Sequence, residues 1–279
     1  MPWIQLLRLR LLPSAICDIL CGAALAGQVE WSVLVQLVAG SALLYLSGMV
    51  WNDVADAERD RMQGVRRPIA LGQVPRGGAA ILALLLMATG LWLLSGERTL
   101  PLAVAISCGI LLYDFLGSRL PILGAPLLGA VRGLNLLLGV IGMGMHPAPQ
   151  SLWIASLYGV SIALIVWHGA LEDLGSERPE AGAWGRALRL LSVPLAPLTA
   201  LWLPWPGWTL LAASPQVWRL VSTSRREALS LPAGTGLLLR GISRFTAAVS
   251  LGTGQWVLAG LCLALAWLVP ALLGRIRWS

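Results

Sequence analysis

The chain has 279 residues, of which 57% are hydrophobic and only 12% are charged. An average soluble domain is about half apolar and about a quarter charged, so this composition excludes a disordered chain and an ordinary cytosolic enzyme. The formal net charge of +7 rests on 20 basic residues, all arginine, that lie mostly between apolar segments. This distribution excludes a nucleic-acid partner and indicates a protein embedded in the lipid bilayer.

Apolar runs separated by Gly, Pro and Arg-rich breaks predict an all-α bundle of about nine transmembrane helices, in a single domain over residues 1–279. Each run is close to the ~20 residues that cross a bilayer. Prolines interrupt the seventh and eighth runs, and bundled membrane helices tolerate them. The predicted spans lie near 11–27, 32–51, 78–96, 100–116, 122–145, 151–170, 187–203, 207–223 and 253–274.

Residues 224–252 are too polar for a predicted span, and leucines alternate there with arginines. We predict an amphipathic segment on the membrane surface, with a cofactor-binding loop as the alternative. With a cytoplasmic N-terminus, fifteen arginines fall on the cytoplasmic side, and Arg98, Arg275 and Arg277 fall on the other. This bias predicts a multi-pass protein of the bacterial inner membrane, although the C-terminal pair runs against it.

The acidic residues are concentrated in two short clusters, one after the second predicted span and one after the sixth. In the first cluster, Asp53, Asp56 and Asp60 fall on one stripe of a helix at about 100° per residue, whereas Glu58 lies off that face. Three carboxylates on one stripe repel each other unless a cation lies among them. The spacing therefore predicts a cation site.

The second cluster contains Asp173 and Glu177, which share a helix face at i and i+4. Four spans separate the clusters, and this even number brings both to the same side of the membrane, the cytoplasmic side in the predicted topology. Carboxylate oxygens suit Mg²⁺ held jointly with a substrate phosphate, and the nearby arginines suit phosphate oxygens. We predict a diphosphate on a lipid-soluble tail as ligand; the alternative is a pair of solvated interfacial loops.

The chain resembles the UbiA superfamily of intramembrane aromatic prenyltransferases, which are nine-helix proteins, over about residues 8–274. Asn52, Asp53, Asp56 and Asp60 match the family's N-D-x-x-D-x-x-x-D pattern at every fixed position. Within the family, the chain looks most similar to the EboC-type members found in bacterial gene clusters.

Further stretches resemble other family motifs, with two departures. The family's Tyr, which Tyr113 matches, is usually followed by a Lys; here Ser118 stands near the place of that Lys and Arg119 is the nearest cation. In the family's second acidic motif, D-x-x-x-D, Asp173 matches and Glu177 replaces the second Asp. The other matched positions are Arg67, Pro68, Gly72, Tyr113, Asp114, Arg132 and Asn135.

The resemblance implies an Mg²⁺-dependent enzyme that moves an isoprenyl group from an isoprenyl diphosphate to an aromatic or other lipophilic acceptor. Metal and arginine charge would stabilise the departing diphosphate, and a water-poor cavity would protect the allylic cation. The implied catalytic and metal-binding residues are Asp53, Asp56, Asp60, Asp173 and Glu177. The implied substrate-binding residues are Asn52, Arg67, Tyr113, Arg119, Arg132 and Asn135.

Two other functions stay open. A transporter would place charges or broken helices at the membrane midplane, whereas these acids cluster at one interface. The second alternative is a family member that binds a prenyl lipid without turning it over. It stays open because Glu177 replaces the motif Asp and the motif Lys is absent. Asp18, inside the first span, is interpreted as orienting or deprotonating the acceptor, or as the buried partner of an arginine. His168 is a candidate base.

Overall fold

The structure is a computed structural model that describes residues 2–173, 179–225 and 230–274. The described residues form α-helices joined by turns and loops, with 3-10 turns at Gly117–Arg119 and Thr199–Trp202 and no strand among them. The helices are α1 (Pro2–Leu6), α2 (Leu12–Ala26), α3 (Trp31–Met62), α4 (Arg76–Leu93), α5 (Leu100–Phe115), α6 (Pro121–Gly142), α7 (Pro149–Asp173), α8 (Pro179–Ser192), α9 (Leu195–Leu198), α10 (Pro206–Arg225), α11 (Leu231–Gly252) and α12 (Trp256–Gly274).

Four helices of the described part are long and apolar enough to cross a membrane: α3, α4, α6 and residues 149–171 of α7. Helices α2, α5 and residues 256–268 of α12 are apolar but shorter. These helices confirm the predicted all-α membrane bundle. The number of nine spans stays a prediction.

Helix α3 is 32 residues long and continues through the first acidic cluster without a break. At 1.5 Å per residue it extends for about 48 Å, well beyond the ~30 Å apolar core of a bilayer. The carboxylates of the cluster therefore belong to the same rigid element as the second predicted span. We call the end of the bundle where α3 finishes the acidic end, and the opposite one the far end.

The predicted seventh span, 187–203, is wrong. The chain leaves α8 at Ser192, forms the four-residue α9, and then turns in a 3-10 segment. Pro194 and Pro197 lie in this stretch, where each removes a backbone donor that a continuous helix would need. Three short segments therefore take the place of one spanning helix.

The predicted surface segment over residues 224–252 is also wrong for its described part. Helix α11 runs through 22 of these residues and packs against α2, α7, α10 and α12. The polar side chains of α11 have hydrogen-bond partners inside the bundle. Arg244 Nη1 donates to Gln216 Oε1 of α10 at 2.6 Å, and the side chains of Thr246 and Ser250 donate to backbone carbonyls of α11. Hydropathy does not register such partners, so an internal helix looked too polar.

The direction of α12 follows from this correction. Its first turn lies at the far end, where Gln255 Nε2 donates to Gly27 O at 3.2 Å. Further along, Cys262 packs beside Cys17 in the middle of α2. Helix α12 therefore ends at the acidic end, opposite to the predicted direction. Arg275 and Arg277 lie outside the described residues.

Close helix contacts around α6 set the positions of the cavity walls. A Cβ atom on Gly22 of α2 would lie 2.8 Å from Gly139 Cα of α6, and one on Gly139 would lie 2.6 Å from Ile19 O. Real Cβ atoms do not approach backbone this closely, so α2 and α6 can touch only through glycine. Small residues at helix contacts are typical of membrane bundles.

We expect Gly22→Ala to destabilise the protein by about 1–3 kcal/mol, because the added methyl must push α2 and α6 apart. Thermal unfolding in detergent measures the effect. Gly77→Ala in α4 is the matched control, since a Cβ there meets no atom within 4 Å. Equal melting temperatures for Gly22→Ala and the wild-type protein would contradict the close α2–α6 contact.

Candidate functional site

The predicted acidic stripe is present on α3 and faces the interior of the bundle. Asp53, Asp56 and Asp60 are only 2–3% exposed, while Glu58 on the opposite face pairs with Arg61 in solvent. Burying a carboxylate is costly unless it is paired and hydrogen-bonded. The stripe therefore needs cations from elsewhere in the chain.

Three arginines supply these charges, one to each carboxylate. Arg8 pairs with Asp53. The distance from Arg59 Nη2 to Asp56 Oδ2 is 2.9 Å, and that from Arg67 Nη1 to Asp60 Oδ2 is 2.8 Å.

All three carboxylates also converge on one atom. Arg67 Nη1 is 3.5 Å from Asp53 Oδ1 and 3.7 Å from Asp56 Oδ2, besides its contact with Asp60. A guanidinium nitrogen thus lies where a cation shared by the stripe would lie. Hard oxygen donors around such a point fit Mg²⁺. Among the described residues, no three acidic, His or Cys side chains are close enough to one another to form a metal site on their own.

Polar groups of α5 and of the turn after it lie beside the stripe. Asn52 joins the two: Arg8 Nη2 donates to its Oδ1 at 3.4 Å, and its Nδ2 donates to Asp114 Oδ1 at 3.5 Å. Tyr113 and Arg119 lie within electrostatic reach of Asp56. The predicted substrate-binding residues Asn52, Arg67, Tyr113 and Arg119 are therefore gathered around the predicted metal ligands of α3.

An elongated cavity of about 170 Å³ leads inward from this point. Its mouth is polar and its middle is apolar. Its inner end carries the other two predicted substrate-binding residues, Arg132 and Asn135. The lining residues are Arg8, Asn52, Tyr113 and Asp114 at the mouth, Leu44, Gly48, Met49, Ile106, Ile110, Leu128 and Val131 along the walls, and Ala15, Ser41, Tyr45, Arg132 and Asn135 at the inner end.

Arg132 and Asn135 bind a buried aspartate as well as lining the cavity. Arg132 Nη2 donates to Asp18 Oδ1 at 3.0 Å, and its Nε forms a 2.9 Å ion-pair contact with Oδ2. Asn135 Nδ2 donates to Oδ2 at 3.0 Å, and the Tyr158 hydroxyl donates to Oδ1. Of the two interpretations of Asp18, the structure shows the arginine partner. With all these donors, Asp18 has little capacity left to bind an acceptor.

The second acidic cluster lies mostly outside the described residues. Asp173 is the last described residue of α7, and its side chain is not described; Glu177 lies outside the described residues, so their shared face stays a prediction. One turn earlier, His168 is fully buried and contacts Thr235 at 2.9 Å and Arg189 at 3.0 Å. Through these two contacts, His168 links α7 to α8 and α11.

The profile of the UbiA prenyltransferase family matches residues 15–278. The chain belongs to the UbiA prenyltransferase family.

Individual relatives agree with this membership. A digeranylgeranylglyceryl phosphate synthase from Methanoculleus marisnigri is 29% identical over 152 residues, 54% of this chain and 53% of that protein, so the match spans about half of that relative's length. The apo structure of a UbiA homologue from Aeropyrum pernix K1 superimposes with a TM-score of 0.64 at 16% identity, over 90% of this chain and 96% of the other. A homologue from Archaeoglobus fulgidus bound to GPP and Mg²⁺ superimposes with a TM-score of 0.58 at 15% identity, over 94% of this chain and 99% of the other. At these identities the solved structures establish a shared fold.

Three residues of this UbiA-family site escaped prediction from the sequence. Arg8 lies 45 positions from Asp53, in a turn where its φ of 43° is the only positive value of a non-glycine residue in the described chain. Such strained conformations cluster at functional sites. Tyr158 lies 140 positions from Asp18. Asp114 matches a family motif in the sequence but has no predicted site role, because a single sequence holds no signal that it faces the cavity.

Proposed function

We propose that this UbiA-family protein is a membrane-embedded, Mg²⁺-dependent prenyltransferase that moves an isoprenyl group from an isoprenyl diphosphate to an aromatic or other lipophilic acceptor. The observation that carries the proposal is the convergence of three buried carboxylates on one cationic atom, next to a cavity with apolar walls whose mouth is lined by Arg8 and Asn52. The A. fulgidus homologue bound to GPP and Mg²⁺ supports the classes of donor and metal.

In the proposed enzyme, the acidic residues of both clusters hold Mg²⁺. Bound there, the metal would supply positive charge that stabilises the diphosphate as it leaves. The stripe on α3 fits this role because it already surrounds a guanidinium nitrogen with hard oxygen atoms. The proposed ligands are Asp53, Asp56, Asp60, Asp173 and Glu177.

Polar groups at the acidic stripe and at the neighbouring cavity mouth bind the diphosphate oxygens. Arg67 and Arg119 contribute positive charge, and Asn52 and Tyr113 contribute neutral hydrogen-bond donors. Donors placed in advance where negative charge develops stabilise the transition state most effectively in a water-poor site. Arg67 reaches all three carboxylates of the stripe, so it is well placed for a diphosphate held there.

The apolar walls of the cavity accommodate the isoprenyl group and keep water from the allylic cation. Arg132 and Asn135 contact donor or acceptor atoms that reach the inner end, while they hold Asp18. The fixed Asp18–Arg132 pair gives the buried charges of this bundle a structural role, which argues against the moving midplane charges of a transporter.

The protein would function as a multi-pass protein of the bacterial inner membrane, with the acidic end facing the cytoplasm. Among the described arginines outside the α-helices, Arg98 lies at the far end and the others lie near the acidic end, a bias that agrees with the positive-inside rule. These others are Arg8, Arg10, Arg66, Arg67 and Arg119. In this orientation a water-soluble metal and a diphosphate headgroup reach the site from the cytoplasm, while the isoprenyl tail stays in the bilayer.

The test is thermal unfolding of the purified full chain with geranylgeranyl diphosphate. We expect stabilisation that requires Mg²⁺, about 2.7 kcal/mol at a ligand concentration of 100 Kd. Inorganic sulfate at the same concentration should have no such effect. Equal stabilisation with EDTA would contradict the proposed metal site. Mg²⁺-dependent stabilisation with no prenyl transfer to a total lipid extract would instead indicate a non-catalytic prenyl-lipid-binding protein.

A further inference from the structure

Asp114 differs from the other buried acids whose side chains the structure describes. Asp18, Asp53, Asp56 and Asp60 are each within ion-pair distance of an arginine. Asp114 is only 3% exposed and forms no ion pair with any described side chain. An unpaired buried carboxyl group is costly, so its presence calls for an explanation beyond packing.

One oxygen of Asp114 is left for a ligand. Oδ1 accepts only the long 3.5 Å hydrogen bond from Asn52, and Oδ2 has no hydrogen-bond partner in the described structure. The carboxyl group lines the cavity at its mouth. A buried acceptor atom without a partner is costly, and a hydrogen-bond donor entering the cavity would remove this cost.

The position of Asp114 relates it to the proposed reaction. Asp53, Arg8, Asn52 and Asp114 form one continuous chain of polar contacts from the stripe to the cavity mouth. A diphosphate at the stripe would place the first carbon of its isoprenyl group at this mouth. An acceptor atom that attacks this carbon must therefore pass beside Asp114.

We propose that Asp114 binds the hydroxyl group of the acceptor and receives its proton during transfer. The inference rests on the proposed function and assigns an alcohol or phenol as the acceptor class. The acceptor oxygen forms a bond to C1 of the isoprenyl group, the C1–O bond to the diphosphate breaks, and the bonding electron pair leaves with the diphosphate. The hydroxyl proton passes to Oδ2 of Asp114.

Chemical modification tests whether Asp114 is unpaired and reachable from the cavity. N,N′-dicyclohexylcarbodiimide is an apolar reagent that modifies carboxyl groups in water-poor sites, and peptide mass spectrometry locates the product. In the purified full chain, we expect modification at Asp114 in preference to the arginine-paired Asp18 and Asp53. Modification of these two with Asp114 unmodified would overturn the proposal.

The proton-accepting role has its own test, with methanol as a small hydroxyl probe. With Mg²⁺ and geranylgeranyl diphosphate, we expect Asp114→Asn to lower the formation of geranylgeranyl methyl ether by about 10²-fold or more, while Mg²⁺-dependent stabilisation by the donor is unchanged. Asp114→Glu should recover part of the rate. Glu58→Gln, a change of an exposed acid on the same end of the bundle, is the control.

Different results contradict the role of Asp114 and the prenyltransferase function. Unchanged ether formation in Asp114→Asn overturns the proton-accepting role and leaves the prenyltransferase function intact. Absence of Mg²⁺-dependent stabilisation by the donor in the wild-type protein overturns the proposed function itself, and Asp114 as an acceptor site with it.

Discussion

Replacing Asp53 or Asp173 with alanine is expected to abolish prenyl transfer, with a loss of at least about 10³-fold, while the protein still inserts into the membrane. Each change removes a proposed metal ligand, and the charge that stabilises the departing diphosphate goes with it. Transfer of labelled isoprenyl groups from geranylgeranyl diphosphate to a lipid extract measures the activity. Recovery in the membrane fraction measures insertion.

Glu58→Gln is the matched control for Asp53→Ala, because it removes an acid from the same helix on its exposed face. Its activity should equal that of the wild-type protein. Asp53→Ala also leaves Arg8 without its carboxylate, but Arg8 is partly exposed to solvent, so we expect little change in stability. Retained prenyl transfer by purified Asp53→Ala with magnesium present would refute the proposed site.

The largest loss of stability is expected for Asp18→Ala, about 3–5 kcal/mol. The change leaves the buried guanidinium of Arg132 without its counter-charge, and breaking a buried ion pair on one side is more costly than removing both partners. It also removes the acceptor for Asn135 and Tyr158. Thermal unfolding in detergent measures the loss.

Two variants separate this explanation from a general packing effect. Tyr158→Phe deletes one donor to Asp18 and should cost only about 1 kcal/mol. The double variant Asp18→Leu with Arg132→Met removes both charges and should recover much of the stability lost by Asp18→Ala. A double variant no more stable than Asp18→Ala would mean that the ion pair is not the source of the loss.

Local patterns in the sequence predicted the acidic stripe correctly. The spacing of Asp53, Asp56 and Asp60 places them on one face of any α-helix, whatever surrounds it. The structure has them buried and Glu58 exposed, as that periodicity requires. The apolar runs likewise predicted α2, α4, α5, α6, α7, α10 and α12 to within a few residues, because length and hydropathy are properties of a single segment. Helix α3 instead continues to Met62, past the predicted span that ends at 51.

Predictions that depended on neighbouring helices were less successful. Helix α11 looked too polar to lie inside the bundle, yet Gln216 of α10 binds its Arg244 and its small residues pack against α2. The predicted seventh span was apolar enough, but its prolines break it into short segments. In both cases hydropathy measured the composition of a segment and missed how its backbone and polar groups are satisfied.

By itself, the sequence determined the class of protein, the helical bundle and the acidic stripe, since each follows from composition or from a period of 3.6 residues. Only the tertiary structure decided which arginine meets which carboxylate. The contacts Arg8–Asp53, Arg132–Asp18 and Tyr158–Asp18 join residues 45, 114 and 140 positions apart. It also left Asp114 without a cation, at the mouth of a cavity that four helices enclose. Such pairings depend on how the helices pack, and no local pattern of residues encodes them.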